Sequence, residues 1–181
     1  MVVSPSIQSS SHPARPSARR GFSLIELVIV VVIIGIIAAI AIPRMSRGSQ
    51  GASDSALAGN LSVLRNAVDL YQTEHQTYPA ATAGDTQAVF ERQLTKYTDG
   101  TGASNATGTK STTHTYGPYL RKLPALPVGT KKGQATVKIA LDTDVPSATG
   151  EAWIYYPSSG EIKANLPDSE VDAKNVPYNQ Y

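Results

Sequence analysis

The pattern of apolar and polar positions divides the chain sharply near residue 43. From Leu27 to Ile42, sixteen successive residues carry neither charge nor amide, and counted from Phe22 the run is twenty-one residues long with one charge, Glu26. At about 1.5 Å per helical residue this reaches roughly 30 Å, the thickness of a bilayer's hydrocarbon core. The run has no polar face, which suits lipid contact or packing inside an assembly. Gly35 interrupts the Val and Ile side chains and permits close approach of another helix. Glu26 is the misfit, because insertion scales place a charge within such a segment at about 2.5 to 3.5 kcal/mol.

Beyond Pro43 the pattern becomes periodic. Pro43 is expected to end or kink the apolar segment, and Gly48, Gly51 and Gly59 each disfavour helix by about 1 kcal/mol relative to Ala. From Leu57 the helical signal returns: Leu57, Leu61, Leu64, Val68 and Tyr71 form one stripe, with Asn60, Arg65, Asp69 and Gln72 on other faces. The expectation is one long helix, apolar all round in its first half and amphipathic in its second, stopped by Tyr78-Pro79. Asp85 or Thr86 caps a short second helix through Tyr97, with Val89, Phe90, Leu94 and Tyr97 on one side. Thr98 to Thr115 reads as a long, mobile surface loop, and Tyr116 to Pro127 as an irregular, proline-braced segment lying over the long helix.

After Gly133 the period shortens to two. Ala135, Val137, Ile139 and Leu141 alternate with Thr136, Lys138 and Ala140, a half-buried strand. Glu151 to Tyr156 and Glu161 to Asn165 flank Pro157-Ser158-Ser159-Gly160, a hairpin signal. A sheet of three antiparallel strands is not stable alone and is expected to pack its apolar face on the Leu57 to Tyr71 stripe. Trp153 is expected in that core. The predicted class is α+β: a long N-terminal helix, transmembrane in its first half, packed on a small antiparallel sheet of about three strands. The segments are a cationic leader at 1–21, a membrane and assembly half-helix at 22–43, an amphipathic half-helix at 44–78, a loop region with a short helix at 79–132, and the sheet with its tail at 133–181.

Composition narrows the functions. The 181 residues are 41% hydrophobic and 17% charged, and much of the apolar content lies before residue 43, so the remainder buries a small core. The formal charge of +2 owes much to Arg15, Arg19 and Arg20, and no basic patch points to nucleic acid. Cysteine is absent, which removes disulfides, thiolate nucleophiles and thiolate metal sites. His12, His75 and His114 are scattered, His114 in the exposed loop, and no Ser/His/acid, phosphate-loop or zinc pattern occurs, so an enzyme is not expected. Asn60-Leu61-Ser62 and Asn105-Ala106-Thr107 match glycosylation triplets, which we read as chance.

Two processing readings compete at the N-terminus. Residues 1–20 are rich in Ser and Pro, lack acidic residues and end in Arg19-Arg20, a leader that favours a cytoplasmic N-terminus, although Arg44 and Arg47 weaken the bias. In one reading Arg19-Arg20 is a twin-arginine export signal, and cleavage at Ala39-Ile40-Ala41 releases a soluble protein from Ile42. In the other, Gly21-Phe22-Ser23-Leu24-Ile25-Glu26 with its apolar run resembles the leader site of type IV pilins and of the pseudopilins of type II secretion systems. That resemblance implies cleavage after Gly21 and methylation of the new N-terminus, Phe22, by a prepilin peptidase and methyltransferase. It places the fifth-position carboxylate on Glu26 and the proline closing the apolar run on Pro43.

The cut gives Glu26 a physical role. It creates an amine with a pKa of about 8 at Phe22, four residues away, and amine and carboxylate are oppositely charged at neutral pH. They pair within one helix or between staggered subunits; the plainer alternative is a carboxylate that snorkels to the headgroups. The region from Tyr116 to Leu120 and residues 150–162 is similar to the C-terminal part of major pseudopilins of the G type, which implies calcium in a C-terminal loop. Asp168, Glu170 and Asp172 offer three hard oxygen ligands there. Their spacing matches no EF-hand, and the alternative is a solvated acidic tail.

The resemblance implies a subunit of the bacterial inner membrane, single-pass, with its C-terminal domain in the periplasm. Its partners would be copies of itself in a helical filament, the assembly platform and minor pseudopilins. The filament serves a type II secretion system, or a type IV or competence-type pilus. The missing cysteine pair leans to secretion. A single-pass anchor for a binding domain, with Thr98 to Thr115 as its contact surface, is the alternative from another class.

Overall fold

A computed structural model describes residues 21–105 and 107–181, with only the backbone of 42–47. The leader expected at 1–20, including Arg15, Arg19, Arg20 and His12, lies outside the described residues. Helix α1 spans Leu24–His75, α2 Gln87–Thr95, and the strands are β1 Val137–Ile139, β2 Trp153–Tyr156 and β3 Glu161–Ala164; a 3-10 turn covers Tyr178–Gln180. The chain forms two compact units, one ending at Ile42 and the other comprising Pro43–Tyr181. Pro43 does not end α1, which is helical through it and through Gly48, Gly51 and Gly59. A proline removes one hydrogen bond per site, and the helical residues on both sides carry the ladder past it.

In the first unit, residues 24–41 are long and apolar enough to cross a membrane, and none of that window is buried within the chain. In the second unit the stripe behaves as its spacing predicts. Leu57, Leu61, Leu64, Val68 and Tyr71 are all 0–1% exposed. They share a core with Phe90 and Leu94 of α2, Leu120, Leu123 and Leu126 of the proline-braced segment, and Trp153, Tyr155 and Ile162 of the sheet. The Phe90 and Tyr155 rings lie 4.5 Å apart, and Trp153 Nε1 donates to the Pro124 carbonyl at 2.9 Å. Asn60 Nδ2 donates to the Ala125 carbonyl at 3.0 Å, which holds the braced segment on α1.

The sheet is mixed, not antiparallel throughout. Its order is β1-β2-β3, with β1 parallel to β2 (Val137 opposite Trp153) and β2 antiparallel to β3 (Tyr155 opposite Ile162). The reason lies in the connections. Residues 157–160 form the tight hairpin expected from their turn residues, where Gly160 takes φ 74° and a Cβ on it would lie 2.3 Å from the Tyr78 ring. Residues 140–152 are long enough for the crossover a parallel pair needs. They also change the burial of β1, since Leu141 turns outward at 74% exposed while Ala140 packs with Ile154 and Tyr156 on the second face. All four residues of β2 are therefore buried.

The segment Thr98 to Thr115 is irregular but anchored. Thr98 bridges to Ser104 and Tyr116 and is fully buried. His75, at the end of α1, stacks on Tyr71 with ring centroids 4.0 Å apart. Its Nε2 lies 3.0 Å from Thr98 Oγ1 and 3.0 Å from the Asp99 carbonyl oxygen. His114 is half-buried, its Nδ1 2.9 Å from Thr113 Oγ1, rather than free in solvent.

Candidate processing and assembly site

Gly21, Phe22 and Ser23 precede the first turn of α1, and the Leu27 amide donates to the Ser23 carbonyl at 3.2 Å. Glu26 sits in that first turn, where a carboxylate favours the orphan amides and positive end of the helix dipole. Among the described residues, the ion pairs are Lys138–Asp144 and Lys163–Glu161, so Glu26 has no described cation beside it. In the uncut chain the Phe22 nitrogen is a peptide nitrogen and cannot supply one. Phe22 is 77% exposed.

Gly21 needs to be glycine for no local reason among the described residues. Its φ lies outside the left-handed region, and a Cβ built on it meets nothing within 4 Å. Gly35, Gly48, Gly51 and Gly59 are equally open. Four helical glycines, each costing about 1 kcal/mol against Ala, thus have no packing partner among the described residues to explain them.

The sequence around this first turn decides what the site is. Residues 16–42 match the family model of the prokaryotic N-terminal methylation motif. The methylation motif ends at Ile42, where the first unit also ends. It marks a prepilin-type chain of the type IV pilin-like kind, which a prepilin peptidase processes and which assembles into a filament. With the one apolar helix of membrane-spanning length among the described residues, it also indicates a membrane-anchored protein. No curated protein and no solved structure matches the chain. The motif contains Gly21, Phe22 and Glu26 and stops short of Pro43, whose backbone is helical.

Asp168, Glu170 and Asp172 are not brought together as ligands. Asn179 Nδ2 donates to Asp168 at 2.7 Å. Thr130 gives Glu170 its amide at 2.8 Å and its hydroxyl at 2.7 Å. Asp172 accepts the amides of Lys174 and Val176 at 2.7 and 2.8 Å and the Tyr181 hydroxyl at 2.5 Å. Each carboxylate already serves protein donors, and among the described residues no group of three His, Asp or Glu side chains could hold a metal. The set as folded does not fit calcium.

Nor is this region a solvated tail. Val171 bridges to Pro177, Tyr178 donates to Asp54 at 3.1 Å, and Arg65 donates to the main-chain oxygens of Ile162 and Tyr181. The hydrogen bond from Tyr181 holds the Asp172 carboxyl below its ordinary range and pushes the Tyr181 hydroxyl up to about 12. The sequence reading missed Asp54 and Arg65 as anchors because their partners lie about a hundred residues away, and no spacing rule connects them.

Proposed function

We propose that the chain is a structural subunit of a periplasmic pseudopilus, the filament of a type II secretion system. After cleavage at Gly21 and methylation of Phe22, it waits in the inner membrane and joins the filament through the first half of α1. The observation that carries this reading is the methylation motif lying in register with Glu26 and with an apolar helix that has no buried face within the chain. Cleavage supplies the missing cation: the new Phe22 amine of one subunit pairs with Glu26 of its neighbour. An incoming subunit thereby neutralises a carboxylate that is otherwise costly in hydrocarbon, which couples processing to assembly.

The subunit itself carries out no chemistry in this reading. Work is done by filament growth, and minor pseudopilins and an inner-membrane assembly platform are its partners. The absence of cysteine supports secretion over adhesive pili, whose subunits usually close a C-terminal loop with a cysteine pair. The test is assembly with the prepilin peptidase and platform present. Wild type is expected to yield pelletable filaments, whereas Glu26→Ala is cut and membrane-bound but unassembled. Filaments of unchanged yield in Glu26→Ala would sink the pairing mechanism. Deletion in the host separates the systems: loss of exported proteins from the medium marks secretion, and loss of surface fibres marks a pilus.

A further inference from the structure

Among the described residues Lys131 is the one lysine in the buried polar set, 3% exposed, and no carboxylate there pairs with it directly. Its Nζ is surrounded instead by main-chain oxygens: Ser147 at 2.8 Å, Thr149 and Glu151 at 2.9 Å each, and Asn165 at 2.5 Å. Three of these come from alternate residues of the β1 to β2 crossover, where Gly150 at φ 82° turns the chain, and the fourth from the residue after β3. Isolated buried carbonyls demand a partner, and here four converge on one atom.

The walls of this cage are fixed independently of Lys131. The Asn165 side chain, 1% exposed, accepts the Ser147 amide at 2.8 Å and donates to the Glu151 carbonyl at 2.7 Å, spanning the loop from end to end. Ser147 Oγ donates to the Thr149 carbonyl at 2.9 Å. The ammonium has three protons and the cage has four oxygens, so the arrangement is that of an ion among carbonyl dipoles rather than a set of matched pairs. A neutral amine would turn a lone pair towards one of those oxygens. Burial pushes the Lys131 pKa below its ordinary value; Glu151 and Glu170 oppose that shift and Lys138 adds to it.

We infer that the loop of residues 147–151 and Asn165 form a cation site, and that the Lys131 ammonium is its resident, tethered ion. The adjoining Thr130 clasps Glu170 of the C-terminal segment. The two residues thus join the crossover, the end of β3 and the C-terminal segment at one point, the work a structural metal does in other small domains. The free ion that fits the emptied site is a small monovalent cation, for which ammonium, the head of the lysine itself, is the probe. This inference stands apart from the filament reading.

The test uses the full chain in detergent. Lys131→Met keeps an unbranched side chain, one atom shorter, but leaves the carbonyls facing a methyl group, and its melting temperature is expected to fall by on the order of 10 °C. Lys131→Ala opens the site, and ammonium chloride is expected to raise its melting temperature saturably by about 3 to 6 °C, with no such gain for wild type. Tetramethylammonium chloride at the same concentration controls for ionic strength and is too bulky for the cage. Equal shifts with both salts, or none in a folded Lys131→Ala, overturn the inference. Should neither variant fold, side-chain nitrogen NMR of wild type decides. A protonated, slowly exchanging Lys131 ammonium at pH 7 supports the cage, and a neutral or freely exchanging amine refutes it.

Discussion

The two stretches of α1, before Ile42 and after Leu57, are written in the same secondary structure with opposite use of apolar side chains. In the first, every face is apolar and none of the Leu24 to Ala41 window is buried by the chain. In the second, the apolar positions are confined to one stripe and are almost wholly buried. The second stretch satisfies itself within its own unit, through about 1.5 to 3 kcal/mol per buried large side chain. The first finds nothing among the described residues to bury against, as suits an element of a membrane-anchored, filament-forming chain. Glycines divide the same way: Gly160 is demanded by φ and by Tyr78, whereas Gly21 and Gly35 are demanded by nothing described inside the subunit.

This contrast can be broken at several points. The largest expected effect is in the self-contained unit. Phe90→Ala removes a fully buried ring packed on Tyr155 and is expected to cost about 3 to 5 kcal/mol, read by urea unfolding of the full chain in detergent with Trp153 fluorescence. Gly160→Ala is next, at about 1 to 3 kcal/mol, because both the left-handed backbone and the Tyr78 ring oppose a Cβ; the same unfolding curves measure it.

The pH dependence is gentler. The Asp172 carboxyl is held below its ordinary value of 3.8 by the Tyr181 hydroxyl and then by the Val176 and Lys174 amides. A carboxyl depressed in the folded state contributes stability above its unfolded pKa and loses it as pH falls through the folded one. Melting temperature is therefore expected to decline on acidification below about pH 4, and the decline is expected to be shallower in Asp172→Asn. Identical acid profiles would remove Asp172 from the account. The smallest effect completes the contrast. Ile33→Ala, in the exposed first stretch, is expected to leave the unfolding free energy of the globular unit within about 0.5 kcal/mol of wild type while reducing filament yield.

What was legible in the sequence follows the range of the interactions. The Leu57 to Tyr71 stripe and the Pro157 to Gly160 hairpin are local patterns, and both appear where their periods placed them. The methylation motif is likewise contiguous, and its match over residues 16–42 contains Gly21, Phe22 and Glu26. The parallel pairing of β1 with β2 was not, because a period of two fixes the face of a strand and not its direction. Leu141 was misplaced because strand β1 ends at Ile139, before the alternation does. His75, Lys131 and the docked segment from Asp168 to Tyr181 depend on partners more than ten residues away. No composition or spacing signal announces a lysine whose partners are main-chain oxygens.

The most direct test of the central claim, that the first stretch of α1 is a processed assembly element, is the intact mass of the membrane-bound protein made with a prepilin peptidase. The account predicts a single species beginning at N-methylated Phe22. A species beginning at Ile42, or a chain that keeps its leader beside an active peptidase, would contradict it.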